Sequence, residues 1–140
     1  MKKIAFFDID GTLTSEIDGS IPVSAIEAIR AARANGNLMF INTGRCFQNV
    51  EERFRSIGFD GLVCGCGTNI YCEDREILHV SQTHDVTMEL LKAAQDADLD
   101  ILFESYKEVT FDRSRPLHDS EAIKLYRQFA SFDYHMPDPN

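Results

Sequence analysis

Short apolar segments alternate with segments of helical periodicity along the first half of the chain. Ile4–Asp10, Leu38–Asn42 and Leu62–Cys66 are short, apolar and bounded by turn residues, so they predict three buried strands. After the first of them, the pair Asp18 and Gly19 predicts a tight hairpin, which would form a small flap.

Two helices are expected between these strands. Ser24 and Glu27 fit a capping box, which predicts a helix that runs to Ala34 and stops at Gly36. A second helix, stopped by Gly58, is predicted from an apolar stripe at helical spacing: Phe47, Val50, Phe54 and Ile57. Strands and helices in alternation, with short connections, predict an α/β fold with a Rossmann-like parallel sheet.

The pattern changes after Thr68. The second half predicts, in order, a hairpin around Glu73-Asp74, a helix over Val86–Ala97, a hairpin over 101–112 that turns near Tyr106-Lys107, and a helix over Ser120–Ala130. This order is typical of an α+β lobe. We therefore expect a core in residues 1–82 and a partial α+β lobe in residues 83–140.

Charge and composition exclude several classes of partner and location. The net charge of −9 argues against a nucleic-acid or acidic-membrane partner, because both need a basic face. No segment approaches the roughly 18 apolar residues of a membrane span, and Asp8 interrupts the first apolar run too early for a signal peptide. Four cysteines without a secretory signal are typical of reduced thiols, so a cytoplasmic location is expected.

Paired carboxylates stand at the end of the first predicted strand. In an extended segment residues i and i+2 face the same way, so Asp8 and Asp10 would point together. Two carboxylates so placed raise each other's pKa unless a cation neutralises them. Mg²⁺, a hard ion that prefers oxygen ligands, is the natural candidate for a metal site at Asp8 and Asp10.

Three further residues predict a cradle for an anion. Gly11 lets the backbone turn and leaves amide groups free, and the Thr43 hydroxyl and Gly44 amide add donors at the next strand end. Asp and Gly are also common in solvated turns, but a second donor set at the neighbouring strand end favours a phosphate site. Arg45 could contact substrate or phosphate, or cap local carbonyls, and the sequence leaves both open.

These segments resemble the haloacid dehalogenase (HAD) superfamily. Asp8-Ile9-Asp10-Gly11-Thr12-Leu13 is identical to its first motif, and Ile41-Asn42-Thr43-Gly44-Arg45 is similar to its second motif in the form found in the Cof-type sugar-phosphate phosphatases. Residues 63–70 are similar to the segment that precedes the cap in that branch. The resemblance covers residues 1–80 well and the remainder loosely, and it implies a partial HAD core followed by part of a cap.

The resemblance implies a Mg²⁺-dependent phosphatase of small phosphorylated metabolites such as sugar phosphates. Asp8 would be the nucleophile that forms an aspartyl-phosphate, and Asp10 the general acid for the leaving alcohol and then the base for water. The Asp8 carboxylate and the Asp10 carbonyl would hold the metal, and Thr43 would bind the phosphoryl oxygens.

The sequence also departs from the family pattern. The third-motif Lys and the fourth-motif acidic cluster, which follow the cap in this family, are not found in these 140 residues. The expectation is therefore a truncated chain that is inactive alone and that self-associates through an exposed first strand. The alternatives are a binding or regulatory protein that retains the metal and phosphate cradle without turnover and, less favoured, a phospho-accepting switch.

Overall fold

A computed structural model describes residues 1–73, 75–105, 109–112 and 114–130. The chain divides into two compact units, residues 1–80 and 81–140. The described strands are β1 Ile4–Phe7, β2 Leu38–Asn42, β3 Gly61–Cys64, β4 Asn69–Cys72, β5 Arg75–His79, β6 Leu102–Glu104 and β7 Val109–Phe111. The described helices are α1 Val23–Ala34, α2 Glu52–Arg55, α3 His84–Asp96 and α4 Ser120–Ala130.

The first unit is built on a five-stranded sheet in the order β1-β2-β3-β4-β5. β1, β2 and β3 are parallel, whereas β4 and β5 add to the sheet as an antiparallel hairpin. The predicted α/β fold is confirmed, and so is the hairpin around Glu73. The sheet is mixed rather than wholly parallel, because that hairpin pairs with β3.

The core of the first unit lies against β2. Ile41 of β2 is fully buried, together with Ile9 from the turn after β1 and Phe54 from α2. α1 contributes Ile29, which is the buried position of its apolar face. Burial of these large side chains fixes the carboxyl ends of β1 and β2 on one rigid support.

β1 differs from its prediction in two respects. The strand ends at Phe7 rather than at Asp10, because the Leu13 amide donates to the Asp8 carbonyl and turns the backbone there. The prediction of a buried strand is also wrong, since Ile4 and Phe6 are each 57% exposed. Both exposures follow from the position of β1 at the edge of the described sheet.

α1 begins without the predicted capping box. The helix starts at Val23, its capping position is Pro22, and no side chain caps it. Proline fixes its own φ at −58° there, which orients the entering chain without a side-chain acceptor. The predicted stop at Gly36 is confirmed by its positive φ of 81°.

The predicted second helix is wrong as a continuous element. A short turn over Phe47–Asn49 and the single-turn α2 replace it. Arginine side chains take carbonyls that a continuous helix would pair with amides: Arg45 donates to the Asn49 carbonyl, and Arg55 donates to the carbonyls of Val50 and Phe47. Val50, Phe54 and Ile57 are nevertheless buried, so the apolar stripe marked the core correctly.

The remaining boundaries shift by small amounts. β3 occupies Gly61–Cys64 rather than Leu62–Cys66, and the predicted flap hairpin is a turn over Ser15–Ser20 without strands. In the second unit, α3 begins after Thr83, whose hydroxyl accepts from the Val86 amide.

The described residues of the second unit include one antiparallel strand pair. β6 pairs with β7, and the predicted turn between them near Tyr106-Lys107 lies outside the described residues. α4 has the predicted bounds. None of the helices in the described part of the chain has the length and apolar character that a bilayer crossing requires.

Candidate active site

The carboxyl ends of β1 and β2 bring two of the predicted site residues to one edge of the sheet. Phe7 pairs with Ile41 in parallel register, so Asp8 and Thr43 follow neighbouring strand ends. Asp8 is exposed, whereas Thr43 is buried. This is the edge at which ligands bind in open parallel sheets, as the sequence predicted.

The backbone after Asp8 folds into a tight turn. The Leu13 amide donates to the Asp8 carbonyl over 3.2 Å, and the amide and hydroxyl of Thr14 both donate to the Ile9 carbonyl. Gly11 sits inside this turn with a φ of 71°, a conformation that favours glycine. The turn places Asp10 outward, with a side chain that is 61% exposed.

The segment Thr43–Arg45 is anchored by the end of β3. The Thr43 amide donates to the Val63 carbonyl, and the Cys66 amide donates back to the Thr43 carbonyl. The Thr43 hydroxyl accepts from the Arg45 amide over 3.1 Å, so it retains its own proton for donation to an anion. A Cβ on Gly44 would lie 3.5 Å from the Cys66 Sγ, which places this thiol beside the predicted anion cradle.

Arg45 binds Asp10 through two hydrogen bonds. Its Nη2 lies 2.6 Å from Asp10 Oδ1, and its Nε lies 2.9 Å from Asp10 Oδ2. The remaining Nη1 donates to Glu51 Oε1 and to the Asn49 carbonyl. The guanidinium therefore caps a local carbonyl, which is one of the two roles that the sequence left open. It also binds the proposed acid–base residue, a contact that the sequence did not predict.

This ion pair sets the protonation of Asp10. The hydrogen bonds from Arg45, supported by the positive charges of Arg45 and Arg53, lower the pKa of the Asp10 carboxyl below its ordinary value. The same bonds raise the pKa of Arg45. The expectation that Asp8 would raise the pKa of Asp10 holds only without a neutralising cation, and here that cation is Arg45.

The oxygen donors present fit a hard cation in part. Among the described residues the Asp8 carboxylate has no hydrogen-bond or ion-pair partner, which leaves it available as a ligand. The described residues hold no group of three or more acidic, histidine or cysteine side chains that could bind a metal ion. Mg²⁺ retains several waters and uses one or two protein carboxylates, so Asp8 and the adjoining Asp10 carbonyl supply part of such a site.

Sequence reasoning missed two residues that the fold brings to this region. Glu51 lies between Arg45 and Arg53, and Arg53 reaches the Gly19 carbonyl in the flap turn. No local pattern marks these residues, because their partners are up to 34 positions away in the chain.

A family model described as haloacid dehalogenase-like hydrolase matches residues 5–139. The chain belongs to this family. It is 30% identical over 138 residues to a phosphoglycolate phosphatase of Staphylothermus marinus, covering 95% of this chain and 53% of that protein.

Solved structures agree with the family assignment. A protein of Geobacillus kaustophilus HTA426 superposes with a TM-score of 0.77 at 26% identity, over 99% of this chain and 52% of the other. The HAD subclass IIB sugar phosphatase BT4131 superposes with a TM-score of 0.75 at 24% identity, over 94% of this chain and 50% of the other. The predicted resemblance to the haloacid dehalogenase superfamily is confirmed by the family model, and the solved structures share its fold. The chain spans about half the length of these relatives.

Proposed function

We propose that this chain carries the nucleophile and the acid–base residue of a Mg²⁺-dependent phosphatase that acts on small phosphorylated metabolites, with sugar phosphates as the substrate class. Asp8 is the nucleophile and Asp10 the acid–base residue. Thr43, Gly44 and Gly11 bind the phosphoryl oxygens.

One observation carries the proposal. The exposed Asp8 carboxylate and the buried Thr43 hydroxyl follow neighbouring parallel strands that are held in register by the Phe7–Ile41 pair. An anion bound by Thr43 and the Gly44 amide would lie beside Asp8, which is the arrangement that in-line attack requires. The sugar phosphatase and phosphoglycolate phosphatase among the similar proteins support the substrate class.

The proposed reaction has two steps. An Asp8 carboxylate oxygen attacks phosphorus, the bond from phosphorus to the ester oxygen breaks, and protonated Asp10 gives its proton to the leaving alcohol. Water then attacks the aspartyl-phosphate, Asp10 takes a proton from that water, and Asp8 and inorganic phosphate are released. Thr43 and Gly44 hold the phosphoryl oxygens through both steps.

Mg²⁺, bound by the Asp8 carboxylate and the Asp10 carbonyl, would supply the positive charge that lets a carboxylate approach an anionic phosphoryl group. The net charge of −9 makes this contribution the more important. The chain's own residues provide the orientation of the reacting atoms.

The Arg45–Asp10 pair favours a second candidate function. A carboxyl whose pKa is lowered is ionised at neutral pH and holds no proton to donate. In this arrangement the site can bind metal and phosphate without turnover, as a binding or regulatory protein would. Under the phosphatase proposal, Arg45 has to leave Asp10 when substrate binds, so that Asp10 can become protonated.

The metal assignment is tested by Mg²⁺ titration followed by backbone NMR. We expect weak, saturable shifts at the amides that follow Asp8, and Asp8→Asn should weaken the apparent affinity by at least about tenfold, since even residues behind a ligand alter affinity by that factor. Asp85→Asn, which changes an exposed carboxylate in the first turn of α3, is the control and should leave the titration unchanged. An equal Mg²⁺ response in wild type and Asp8→Asn would rule out the proposed site.

A further inference from the structure

A chain of alternating charges connects Asp10 to the flap turn. Arg45 holds Asp10, Glu51 Oε1 accepts from Arg45 Nη1 over 3.1 Å, and Glu51 Oε2 accepts from Arg53 Nε over 2.7 Å. Arg53 Nη1 then donates to the Gly19 carbonyl over 2.8 Å. We call these four side chains, together with the Gly19 carbonyl, the relay.

Both arginines of the relay pack on one aromatic ring. The guanidinium carbons of Arg45 and Arg53 lie 5.5 Å and 4.6 Å from the centroid of the Phe54 ring, which is fully buried. A guanidinium within about 6 Å of an aromatic face is attracted to it. Phe54 therefore holds both arginines at positions from which they share the Glu51 carboxylate.

The far end of the relay is a compact turn. The Gly19 amide donates to the Ser15 carbonyl and the Ser15 amide to the Ser20 carbonyl, each over 2.8 Å, and Asp18 accepts from Ser20. These bonds are internal to the turn. The bond from Arg53 to the Gly19 carbonyl connects the turn to a residue outside it.

We propose that Glu51 and Arg53 are positioning residues that couple the flap turn, Ser15–Ser20, to the orientation of Asp10. The relevance of this coupling to catalysis rests on the proposed role of Asp10. The coupling is a property of the ion pairs themselves and exists whether or not the chain turns over a substrate.

Competition for Arg45 gives the coupling its direction. Glu51 is shared between two arginines, and Arg45 between two carboxylates. When Arg53 is withdrawn, its positive charge no longer offsets the negative charge of the Glu51 carboxylate. Glu51 then attracts Arg45 more strongly, which weakens the hold of Arg45 on Asp10. A displacement of the flap turn that draws Arg53 away from Glu51 would therefore release Asp10 from Arg45, as the phosphatase proposal requires.

The test is hydrogen exchange measured by NMR at two positions, the Arg45 side-chain Nε–H and the Gly19 amide. Arg53→Met retains an apolar stem over Phe54 and removes the charge. We expect both protons to exchange about two- to fivefold faster than in wild type, the range given by an exposed ion pair. Arg53→Lys retains the charge without the planar fork and should restore part of the protection.

A matched control is available in the same unit. Arg33 also forms a two-bond pair with a carboxylate, that of Asp60, and its side chain is 38% exposed compared with 45% for Arg53. Arg33→Met should leave both exchange rates unchanged. By reciprocity Arg45→Met should accelerate exchange of the Gly19 amide.

Several outcomes would contradict the proposed coupling between the flap turn and Asp10. Faster exchange at Gly19 without any change at Arg45 would show that Arg53 is a local tether of the turn. Unchanged rates at both positions, or equal effects of Arg53→Met and Arg33→Met, would show that no coupling exists. Because these measurements contain neither Mg²⁺ nor phosphate, a negative result leaves the metal titration of Asp8 to decide the proposed function independently.

Discussion

At the scale of single residues, the pairing of Arg45 with Asp10 determines the state of the site. A carboxylate whose folded pKa lies below its unfolded value contributes stability above the unfolded pKa, and this contribution is lost as the pH falls through the folded pKa. Asp10 is of this kind because Arg45 binds its ionised form. At neutral pH the pair is therefore fully formed, and it weakens only in acid.

Replacement of Arg45 should return the pKa of the Asp10 carboxyl to its ordinary range. We expect Arg45→Met to raise the pKa of the Asp10 carboxyl towards its ordinary value, because the two hydrogen bonds and the positive charge are lost. The measurement is a carboxyl-carbon NMR titration in metal-free buffer.

Arg33→Met is the control for this titration. It should raise the pKa of Asp60, which the hydrogen bonds from Arg33 lower, and leave Asp10 as it is. An Asp10 midpoint that does not move in Arg45→Met would contradict the ion pair.

At the scale of elements, the central strand β3 depends on a glycine for its fit. Gly61 pairs with Phe40 of β2 on one side and with Cys72 of β4 on the other. A Cβ at this position would overlap both the Tyr71 carbonyl oxygen and Phe40 Cε1. Neither neighbour can move freely, because one is backbone of β4 and the other is a ring packed within the sheet.

Gly61→Ala should therefore destabilise the fold by about 3 kcal/mol, the upper part of the range for overpacked cores. Urea unfolding followed by circular dichroism measures it. Gly44→Ala makes the same chemical change where the nearest atom would be 3.5 Å away, an ordinary contact, and should cost less than about 0.5 kcal/mol. Similar losses in the two variants would show that the close approach at Gly61 does not limit how β3 fits between its neighbours.

At the scale of the whole molecule, the described sheet has two edges of different character. β1 carries only apolar residues, and Ile4 and Phe6 are each 57% exposed. β5 at the other edge interleaves Ile77, also 57% exposed, with Arg75, Glu76 and His79. Charged residues protect an edge strand from pairing with another chain, and β1 has none within its length.

We expect the chain to self-associate through β1, so that its average mass in sedimentation experiments rises with concentration. Ile4→Lys should reduce this rise by placing a charge on the edge. Ile77→Lys places the same charge at an equally exposed isoleucine on β5 and should leave the association unchanged. A wild-type chain that stays monomeric at high concentration would contradict the proposed interface.

The sequence by itself determined the elements whose signals are local. β2 and α4 have their predicted bounds, α1 stops at the predicted glycine, and the β4–β5 hairpin forms where turn residues separate two apolar runs. It also determined that Asp8 and Thr43 share one edge of the sheet. That placement follows from parallel topology, which requires only the order of strands and helices and no knowledge of side-chain contacts.

Tertiary structure decided what depends on residues distant in the chain. The second helix is broken because Arg45 and Arg55 take its carbonyls, although its apolar spacing is helical. The exposure of β1 follows from its place at the sheet edge, which periodicity does not encode. The ion pair between Asp10 and Arg45 joins residues 35 positions apart, and such a pair arises only when the fold brings two loops together.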